Sequence, residues 1–458
     1  MADQLVPFLT GAYGHPVVRT PSLDRLAAEG IRFDAAYTPY PLCAPARAAL
    51  MTGRYASRLG CYDNASILPA DEPTVAHYLT EAGYDAVLTG KMHFVGPDQL
   101  HGFSRRLTTD VFPATMDWVP TMDEEGQFVR GGHAHSYVPP EVGVRPWTAF
   151  LAYDEETHFR ALEYLRERSR VQPDKPFFLT VSYHHPHDPF HVTQELWDLY
   201  EGAEIELPEQ RAWDVSAMDR WANEAHETAA VDLADPEALT ALRRAYYGLI
   251  TYVDRKVGEL LDLIPNDTVV LFTSDHGDML AERGMVQKRC FYEWSVRVPL
   301  LLRLPDGSRA GERVPHPVSL LDVAPTLLDL AGVEERLELD GRSLLEPDLN
   351  RAVLAEYHVE KVRAPCFMAR RGRRKLIYVH GHGEQLFDLE RDPRETQSLD
   401  EDAADLRTLI LAEFDPEAIA ADGAASVRRR ELIRAAMARN GTRWDYAPEW
   451  DATTMYVR

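Results

Sequence analysis

The amino-acid sequence predicts an α/β fold: a large mixed, mostly parallel sheet flanked by helices, followed by a smaller C-terminal α+β subdomain and an extended tail. Helical patterns alternate with short apolar, β-branched runs, and polar residues able to do chemistry directly follow several of those runs. The chain has 458 residues, 45% of them hydrophobic, so it is long enough to bury a large core.

The alternation of helices and strands begins near the start of the chain. Residues 22–29 carry apolar Leu23 and Leu26 and end before Gly30, which predicts a short helix with a glycine after its last turn. A similar pattern recurs before Gly83. The predicted helices are 22–29, 74–82 and 239–263, and the predicted strands are 31–37, 86–89, 177–183 and 268–273.

From residue 352 onwards the pattern changes to short strand-like runs joined by turns rich in arginine and glycine. The runs cover 352–357, 366–370 and 375–380, and they are followed by the segment 385–389 and a helical pattern over 405–414. We therefore expect an α/β domain over 1–345, an antiparallel α+β subdomain over 346–420, and a C-terminal helix and tail over 421–458. The tail has too little apolar content to fold alone, so we expect it to contact its own chain or a neighbour.

The charge of the chain disfavours several classes of function. There are 73 acidic and 49 basic side chains, and the formal net charge of -24 disfavours binding to nucleic acid or to an anionic membrane. A few local cations must then hold any anionic substrate, so a zwitterionic or cationic leaving group fits better than a polyanion. No apolar run of about 18 residues and no secretory signal is visible, so we expect a cytoplasmic protein without a membrane segment.

Polar side chains follow three of the predicted strands at the point where each strand ends. Because the carboxyl ends of parallel strands meet at one edge of a sheet, we expect these separate segments to converge on one crevice. The residues concerned are Lys91, His93, His185, His187, Asp188, Asp275 and His276.

A metal site is predicted from acidic residues and a histidine. Asp275 and His276 lie side by side at a strand end, and Asp3 offers another carboxylate. Oxygen ligands suit Ca²⁺ and Mg²⁺, whereas a histidine among them also suits Mn²⁺; we favour Ca²⁺ or Mn²⁺ over Mg²⁺. Taken alone, the segment around Asp275 is equally consistent with a turn in which its carboxylate caps a backbone amide.

Cys43 begins a Cys-x-Pro-x-Arg pattern with Pro45 and Arg47. The pattern resembles the mark that formylglycine-generating enzymes read, in which case Cys43 is oxidised to an aldehyde whose hydrate is the nucleophile. The alternative is a small buried hydrophobic side chain beside a loop turn. The four cysteines are widely scattered and predict no disulfide framework.

Together with the other motifs, this pattern makes the chain resemble type I sulfatases, the formylglycine-dependent members of the alkaline phosphatase superfamily. Among these it is most similar to choline sulfatases. The likeness covers most of the chain, and its motifs lie at 1–4, 41–54, 62–65, 83–94, 185–189, 275–284 and 444–446. Residues 444–446 are the element most specific to that subgroup, in which a comparable extension helps to assemble the oligomer, so the resemblance implies a homo-oligomer.

The resemblance also implies roles for individual residues. The metal ligands would be Asp3, modified Cys43, Asp275 and His276. Arg47 would orient the nucleophile, Lys91 would bind sulfate, and His93 would handle the proton of the nucleophile. Lys288 and His187 would stabilise or protonate the leaving oxygen, while His185 would support His187 at the substrate. Substrate recognition would involve Asn64 and Trp118, whose ring either holds a trimethylammonium group or simply packs.

Two departures from the family pattern affect these expectations. Only two residues precede Asp3, where the family has a central apolar strand, so we expect that strand to be truncated and the protein to be less stable for it. The region between Met122 and Tyr153 differs from choline sulfatases, and it could reshape the leaving-group pocket. Cleavage of a sulfate ester is therefore better supported than choline sulfate as the substrate.

The leading hypothesis is hydrolysis of a sulfate ester, with choline sulfate as the favoured substrate and a formylglycine-generating enzyme as the maturation partner. An arylsulfatase or a phosphonate or phosphate ester hydrolase of the same fold is the enzymatic alternative. A catalytically silent binding protein, with Cys43 left as a thiol, is the alternative of another class. The presence of lysine, histidine and aspartate at all the expected positions argues against it.

Overall fold

The computed structural model describes residues 1–112, 142–171, 175–209, 213–225, 235–334, 336–346 and 350–442, with short stretches between 114 and 130 and single residues at 211, 348 and 444. Trp118, the segment from Gly131 to His135 and the tail beyond Trp444 lie outside the described residues. Among the residues that are described, no helix has the length and apolar character needed to span a bilayer.

The strands of the catalytic part are short, and most of them are shielded by helices. They are β1 (Ile31–Tyr37), β2 (Asp85–Gly90), β3 (Arg105–Arg106), β4 (Thr121–Met122), β5 (Phe128–Arg130), β6 (Val142–Val144), β7 (Phe177–Ser182), β8 (Phe190–Val192), β9 (Val270–Thr273), β10 (Arg297–Val298), β11 (Leu300–Arg303) and β12 (Glu312–Ser319). The four strands predicted here from the sequence correspond to β1, β2, β7 and β9.

The helices that surround these strands include three that the sequence predicted, α1, α3 and α7. They are α1 (Pro21–Glu29), α2 (Cys43–Thr52), α3 (Val75–Glu81), α4 (Ala149–Val171), α5 (Gln194–Asp198), α6 (Ala217–Ala225), α7 (Pro236–Leu261), α8 (Glu293–Val296) and α9 (Val323–Leu330). Asp235 caps the N-terminus of α7 through its side chain, and Pro236 follows in the first turn, where its missing N–H costs nothing.

The strands form two main sheets with helices on both faces. One sheet has the order β10-β1-β11-β9, with β12 also paired to β1, and the other has the order β3-β2-β7. The second sheet is parallel throughout, while β10 and β11 run antiparallel to β1. Leu300 and Leu302 pack into one apolar core and Leu301 into the other, so the sheet is buried on both faces. The predicted α/β class is confirmed.

Residues Met1 and Ala2 lie between the two sheets. The Ala2 N–H donates to the carbonyl of Thr273, the last residue of β9, and the N–H of Tyr183, which directly follows β7, donates to the carbonyl of Met1. A parallel bridge also joins Ala2 to Ser274. Asp3, the next residue, is therefore placed at the carboxyl ends of the strands and is completely buried.

The C-terminal residues form an antiparallel sheet with two helices. The elements are β13 (Val353–Tyr357), β14 (Cys366–Arg371), β15 (Arg374–Val379), β16 (Gly383–Asp388), α10 (Ala404–Glu413) and α11 (Pro416–Asn440). The strands pair in sequence order, and α10 packs on β14 and β15. The division at residue 420 that we proposed from the sequence falls inside α11.

Candidate active site

Cys43 is the first residue of α2, and the whole helix is buried. Leu42 precedes it and offers no side-chain acceptor to the free amides of the first turn. Instead, Asn64 Oδ1 accepts a hydrogen bond of 3.0 Å from the Ala44 N–H. The N-terminus of a helix carries partial positive charge, so this position favours an anionic group at Cys43.

The Cys43 thiol lies among charges of both signs. Its sulfur is 3.2 Å from His276 Nε2, 3.8 Å from Lys91 Nζ and 4.0 Å from Asp3 Oδ1. Burial alone would raise the pKa of the thiol, but Lys288 and Lys91 outweigh burial and hold that pKa well below its usual range. The remaining cysteines, Cys61, Cys290 and Cys366, are buried, and burial raises their pKa values.

Four predicted ligands converge at the strand ends, because the ligand atoms of Asp3, Cys43, Asp275 and His276 all lie within 4.8 Å of one another. His276 Nδ1 donates to the carbonyl of Gly277 at 2.9 Å, which leaves the lone pair of Nε2 facing the cluster. Two carboxylates and an imidazole so arranged fit a divalent cation. Burial would raise the pKa of Asp3, but Lys91 and Arg47 hold it well below its usual range.

Arg47 belongs to α2, and its guanidinium contacts this cluster. Its Nε donates to Asp275 Oδ2 at 2.8 Å, and one terminal nitrogen donates to Ser182 Oγ at 3.0 Å. Its other terminal nitrogen is 3.5 Å from Asp3 Oδ2. The guanidinium therefore connects α2 to the end of β7 and to the segment that follows β9.

Lys91 directly follows β2, at a point where a glycine is required. Gly90 has φ of +93°, and a Cβ there would lie 2.0 Å from the Ser182 carbonyl oxygen, so only glycine permits the close approach of β2 to β7. The Lys91 ammonium pairs with Asp3 and lies 4.3 Å from the centre of the Phe112 ring. Burial would lower the pKa of Lys91, but Asp3 and Cys43 raise it above its ordinary value.

His93 lies two residues further along the same segment, with its ring 5.2 Å from that of Phe112. Asp110 accepts hydrogen bonds from the N–H groups of Met92 and His93, at 2.9 and 2.6 Å. Arg106 pairs with the same carboxylate at 2.8 Å. Asp110 thus positions the segment that carries both Lys91 and His93.

Lys288 and His187 contact each other, with Lys288 Nζ 3.0 Å from His187 Nε2. His187 Nδ1 donates to the carbonyl of Asp188 at 2.7 Å, so its Nε2 is an acceptor. Burial lowers the pKa of His187 well below its ordinary value, and Lys288 and Lys91 lower it further. Gln4 also contacts this pair, since its side-chain amide oxygen accepts a hydrogen bond from Lys288. Its side-chain amide nitrogen donates to Asp188 and Asp278.

His185 contacts α4 through Asp154. Its Nδ1 lies 2.6 Å from Asp154 Oδ2, and the N–H groups of His184 and His185 donate to the same carboxylate at 2.7 and 2.9 Å. Asp154 is completely buried. These contacts attach His185 to α4, and the role at the substrate that we expected for it stays a prediction.

The structure thus brings the four predicted metal ligands together with Arg47 and Lys91, and it places Lys288 in contact with His187. His93 lies against Phe112, and Asn64 lies at the start of α2. Sequence reasoning missed four buried residues that orient them: Gln4, Asp110, Phe112 and Asp154. Gln4 follows Asp3 directly, and that adjacency was the available signal. The other three belong to no motif, and the burial of a lone acid or aromatic residue is not visible in a sequence.

Comparisons with known proteins agree with this geometry. A family model described as Sulfatase matches residues 1–333, and one described as N-sulphoglucosamine sulphohydrolase, C-terminal, matches residues 281–410. The choline-sulfatase of Rhizobium meliloti (strain 1021) is 41% identical over 487 residues, covering 100% of this chain and 94% of that protein. The arylsulfatase of Clostridium perfringens (strain 13 / Type A) is 29% identical, covering 87% of this chain and 89% of that protein.

Solved structures share the fold over nearly the whole chain. The crystal structure of the phosphonate monoester hydrolase of Agrobacterium radiobacter is similar with a TM-score of 0.69 and 25% identity, covering 94% of each chain. The family model covers well over half of the chain, and the relative at 41% identity spans all of it. The chain therefore belongs to the sulfatase family, and it is an enzyme that hydrolyses sulfate esters.

Proposed function

We propose that the protein hydrolyses choline sulfate, with Cys43 converted to formylglycine as the nucleophile and a divalent metal held by Asp3, Asp275, His276 and residue 43. The observation that carries the proposal is the position of Cys43: it starts a buried helix, and it lies in contact with the metal-ligand cluster and within 3.8 Å of the Lys91 ammonium. A buried structural cysteine has no need of such surroundings.

The reaction requires a nucleophile that can release sulfate again. The hydrate of an aldehyde has two hydroxyl groups on one carbon, so one can attack sulfur and the other can later expel sulfate without a second attack at sulfur. The Cys43 sulfur marks the position of the attacking oxygen. His276, Lys91 and Asp3 surround that position, and His93, on the segment held by Asp110, is the residue that we propose to take the proton of the second hydroxyl.

The charges at the site suit the transfer of a sulfuryl group. A divalent metal supplies positive charge for the oxygens of the sulfate. Arg47 and Lys91 add positive charge beside the same cluster, and preorganised charge of this kind usually lowers the barrier of such reactions more than any other single effect. Lys288 and His187 form a contacting pair, and we propose that they meet the leaving oxygen.

For the metal we propose Ca²⁺ or Mn²⁺. The ligand set mixes carboxylate oxygens with an imidazole nitrogen, which suits Mn²⁺, while flexible coordination by several oxygens suits Ca²⁺. Thermal unfolding of metal-depleted protein should shift to higher temperature when either ion is added. Replacing Asp275 by asparagine should abolish most of that shift.

Choline sulfate is favoured over other esters by two observations. The relative with 41% identity over the whole chain is a choline-sulfatase, and the net charge of -24 favours a substrate whose leaving group is cationic.

We further propose that residues beyond Trp444 take part in a homo-oligomer.

Rates on choline sulfate, an aryl sulfate and a phosphonate monoester, measured side by side, test the substrate. We expect the highest kcat/KM with choline sulfate. The similarity to a phosphonate monoester hydrolase over 94% of each chain supports a second candidate, and a higher kcat/KM with the phosphonate would establish that one instead.

Maturation of Cys43 is constrained by the fold. Cys43, Pro45 and Arg47 are all buried in α2, so we propose that a formylglycine-generating enzyme reads this segment before folding is complete. Folded protein that still carries the thiol should resist conversion by such an enzyme, whereas the same protein after unfolding should be converted.

A further inference from the structure

The C-terminal helix α11 reaches the active site through one buried arginine. The two terminal nitrogens of Arg430 donate to the two carboxylate oxygens of Asp63 at 2.6 and 2.7 Å. Both side chains are buried, at 7% and 0% exposure. Paired hydrogen bonds between a guanidinium and a carboxylate combine charge with a defined geometry. Helix α11 lies beyond both segments that match family models, which end at residues 333 and 410.

Asp63 shapes the short loop that carries Asn64. Its Oδ1 accepts from the Ala65 N–H at 2.9 Å and from the Ser66 hydroxyl at 3.0 Å. Ser66 Oγ in turn accepts from the N–H groups of Tyr62 and Asp63, at 3.0 and 3.2 Å. The carboxylate that Arg430 holds is therefore the centre of the loop.

Asn64 transmits this arrangement to the nucleophile helix. Its side-chain oxygen accepts from the Ala44 N–H at 3.0 Å, in the first turn of α2, where Leu42 offers no cap. Its own N–H donates to Glu360 Oε2 at 3.3 Å, and Arg289 holds the other oxygen of that carboxylate at 2.8 Å. The cap of the helix that begins at Cys43 thus comes from a loop that both Glu360 and Arg430 support.

We propose that Arg430 is a positioning residue for the nucleophile: through Asp63 and Asn64 it holds the first turn of α2, and with it residue 43, in the geometry that the reaction needs. The proposal rests on Cys43 being the nucleophile, as proposed above. Removing the guanidinium leaves the Asp63 carboxylate buried and unpaired, so the loop must rearrange. A displacement of about 1 Å at a reacting group is enough to lower a rate by roughly 100-fold.

Replacing Arg430 by methionine tests the proposal, with Arg428→Met, an exposed arginine of the same helix, as the matched control. We expect R430M to lower kcat on a sulfate ester by about 10- to 100-fold with a smaller change in KM, at an equal converted fraction of Cys43. R428M should stay within about twofold of the wild type, since it touches no buried pair. An R430M protein with unchanged kcat would overturn the proposal. If R430M does not fold, R430K replaces it, because lysine keeps the charge and loses the paired geometry.

A double-mutant cycle separates positioning from a loss of general stability. If Arg430 acts through Asn64, then kcat of R430M combined with Asn64→Ala should equal that of N64A alone. Multiplying losses would show that Arg430 acts independently of Asn64 and would overturn the proposal.

Hydrogen exchange tests the same link without activity. Peptides covering the first turn of α2 should exchange faster in R430M than in R428M, because the Ala44 amide loses its acceptor. If the wild type hydrolyses no sulfate ester, the function proposed above fails. The hydrogen-exchange comparison still shows whether Arg430 holds the first turn of α2. Equal exchange in the two variants would contradict the link itself.

Discussion

Buried charges at the active site balance each other residue by residue. Asp3 and Asp275 pair with Lys91 and Arg47. A divalent metal would therefore add positive charge to a cluster that already contains two cations. Lys361 lies at the edge of this region as a further cation. It is buried, and burial together with Arg289 lowers the pKa of its ammonium to about 7.

The lowered pKa of Lys361 predicts that burying this side chain costs an amount of folding free energy that depends on pH. Between about pH 7 and the ordinary lysine pKa of 10.5, the unfolded chain holds a proton that the folded protein lacks, so the lysine's contribution to stability rises with pH across that window. Below pH 7 both states are protonated and the full cost remains. Lys361→Met should therefore stabilise the protein by roughly 1 to 3 kcal/mol at pH 6 and by less at pH 10.

Urea unfolding of K361M and wild type at pH 6 and pH 10 checks this prediction. Lys175→Met, at an exposed lysine, is the control and should change little at either pH. A gain for K361M that is larger at pH 10 than at pH 6 would contradict the direction of the pKa shift.

At the scale of single elements, buried carboxylates position the loops that carry the side chains proposed to be catalytic. Asp110 holds the segment after β2, and Asp154 in α4 holds the segment after β7 through three hydrogen bonds. Each carboxylate accepts from backbone amides that no strand satisfies. The precision of the site thus depends on acids that do not themselves face the metal cluster.

Asp154→Asn should displace the segment that ends in His187. Asparagine retains one oxygen and turns its NH₂ towards backbone donors, which should cost about 1 to 3 kcal/mol of stability. Because His187 is proposed to serve the leaving oxygen, kcat should fall by about 10-fold for an alkyl sulfate. The fall should be smaller for an aryl sulfate, whose leaving group needs less help.

The control is Glu155→Gln on the same helix, whose carboxylate contacts Tyr252 and Lys256 instead. E155Q should affect both substrates alike and only slightly. If D154N lowered the two rates by the same factor, Asp154 would not act through the leaving-group side of the site.

At the scale of the whole molecule, buried charge joins the C-terminal subdomain to the catalytic part. Lys375 on β15 lies 2.9 Å from a carboxylate oxygen of Glu293 on α8 and 2.7 Å from one of Glu395. All three residues are buried. Together with Arg430 and Asp63, this cluster makes the two parts of the chain depend on each other.

Lys375→Met should therefore lower the free energy of unfolding by about 3 to 5 kcal/mol, because it leaves the Glu395 carboxylate buried without its cation. Glu293 loses one cation but still pairs with Arg297 and Arg370. Arg374→Met, next to it, removes an exposed pair with Asp405 and should cost less than about 1 kcal/mol. Denaturant unfolding of both variants measures the difference. Similar losses in the two variants would mean that the buried cluster contributes no more than a surface pair.

Much of the fold was predictable because periodicity and burial coincide in it. The limits of β1 agree with the predicted 31–37, and the three predicted C-terminal strands agree with β13, β14 and β15 to within one residue. By contrast, α2 has no amphipathic pattern, because every one of its residues is buried. We did not predict α4, and we placed the start of α11 too late in the chain. The motifs supplied the ligands of the site. Its supporting residues, such as Asp63 and Arg430, lie 367 positions apart and share no motif.

The most direct test of the central claim is the intact mass of the peptide that contains Cys43, taken from protein made in a host with a formylglycine-generating enzyme. We predict that H₂S is replaced by O in that peptide and that sulfatase activity rises in proportion to the converted fraction. Full activity from protein whose Cys43 is entirely an unmodified thiol would contradict the account.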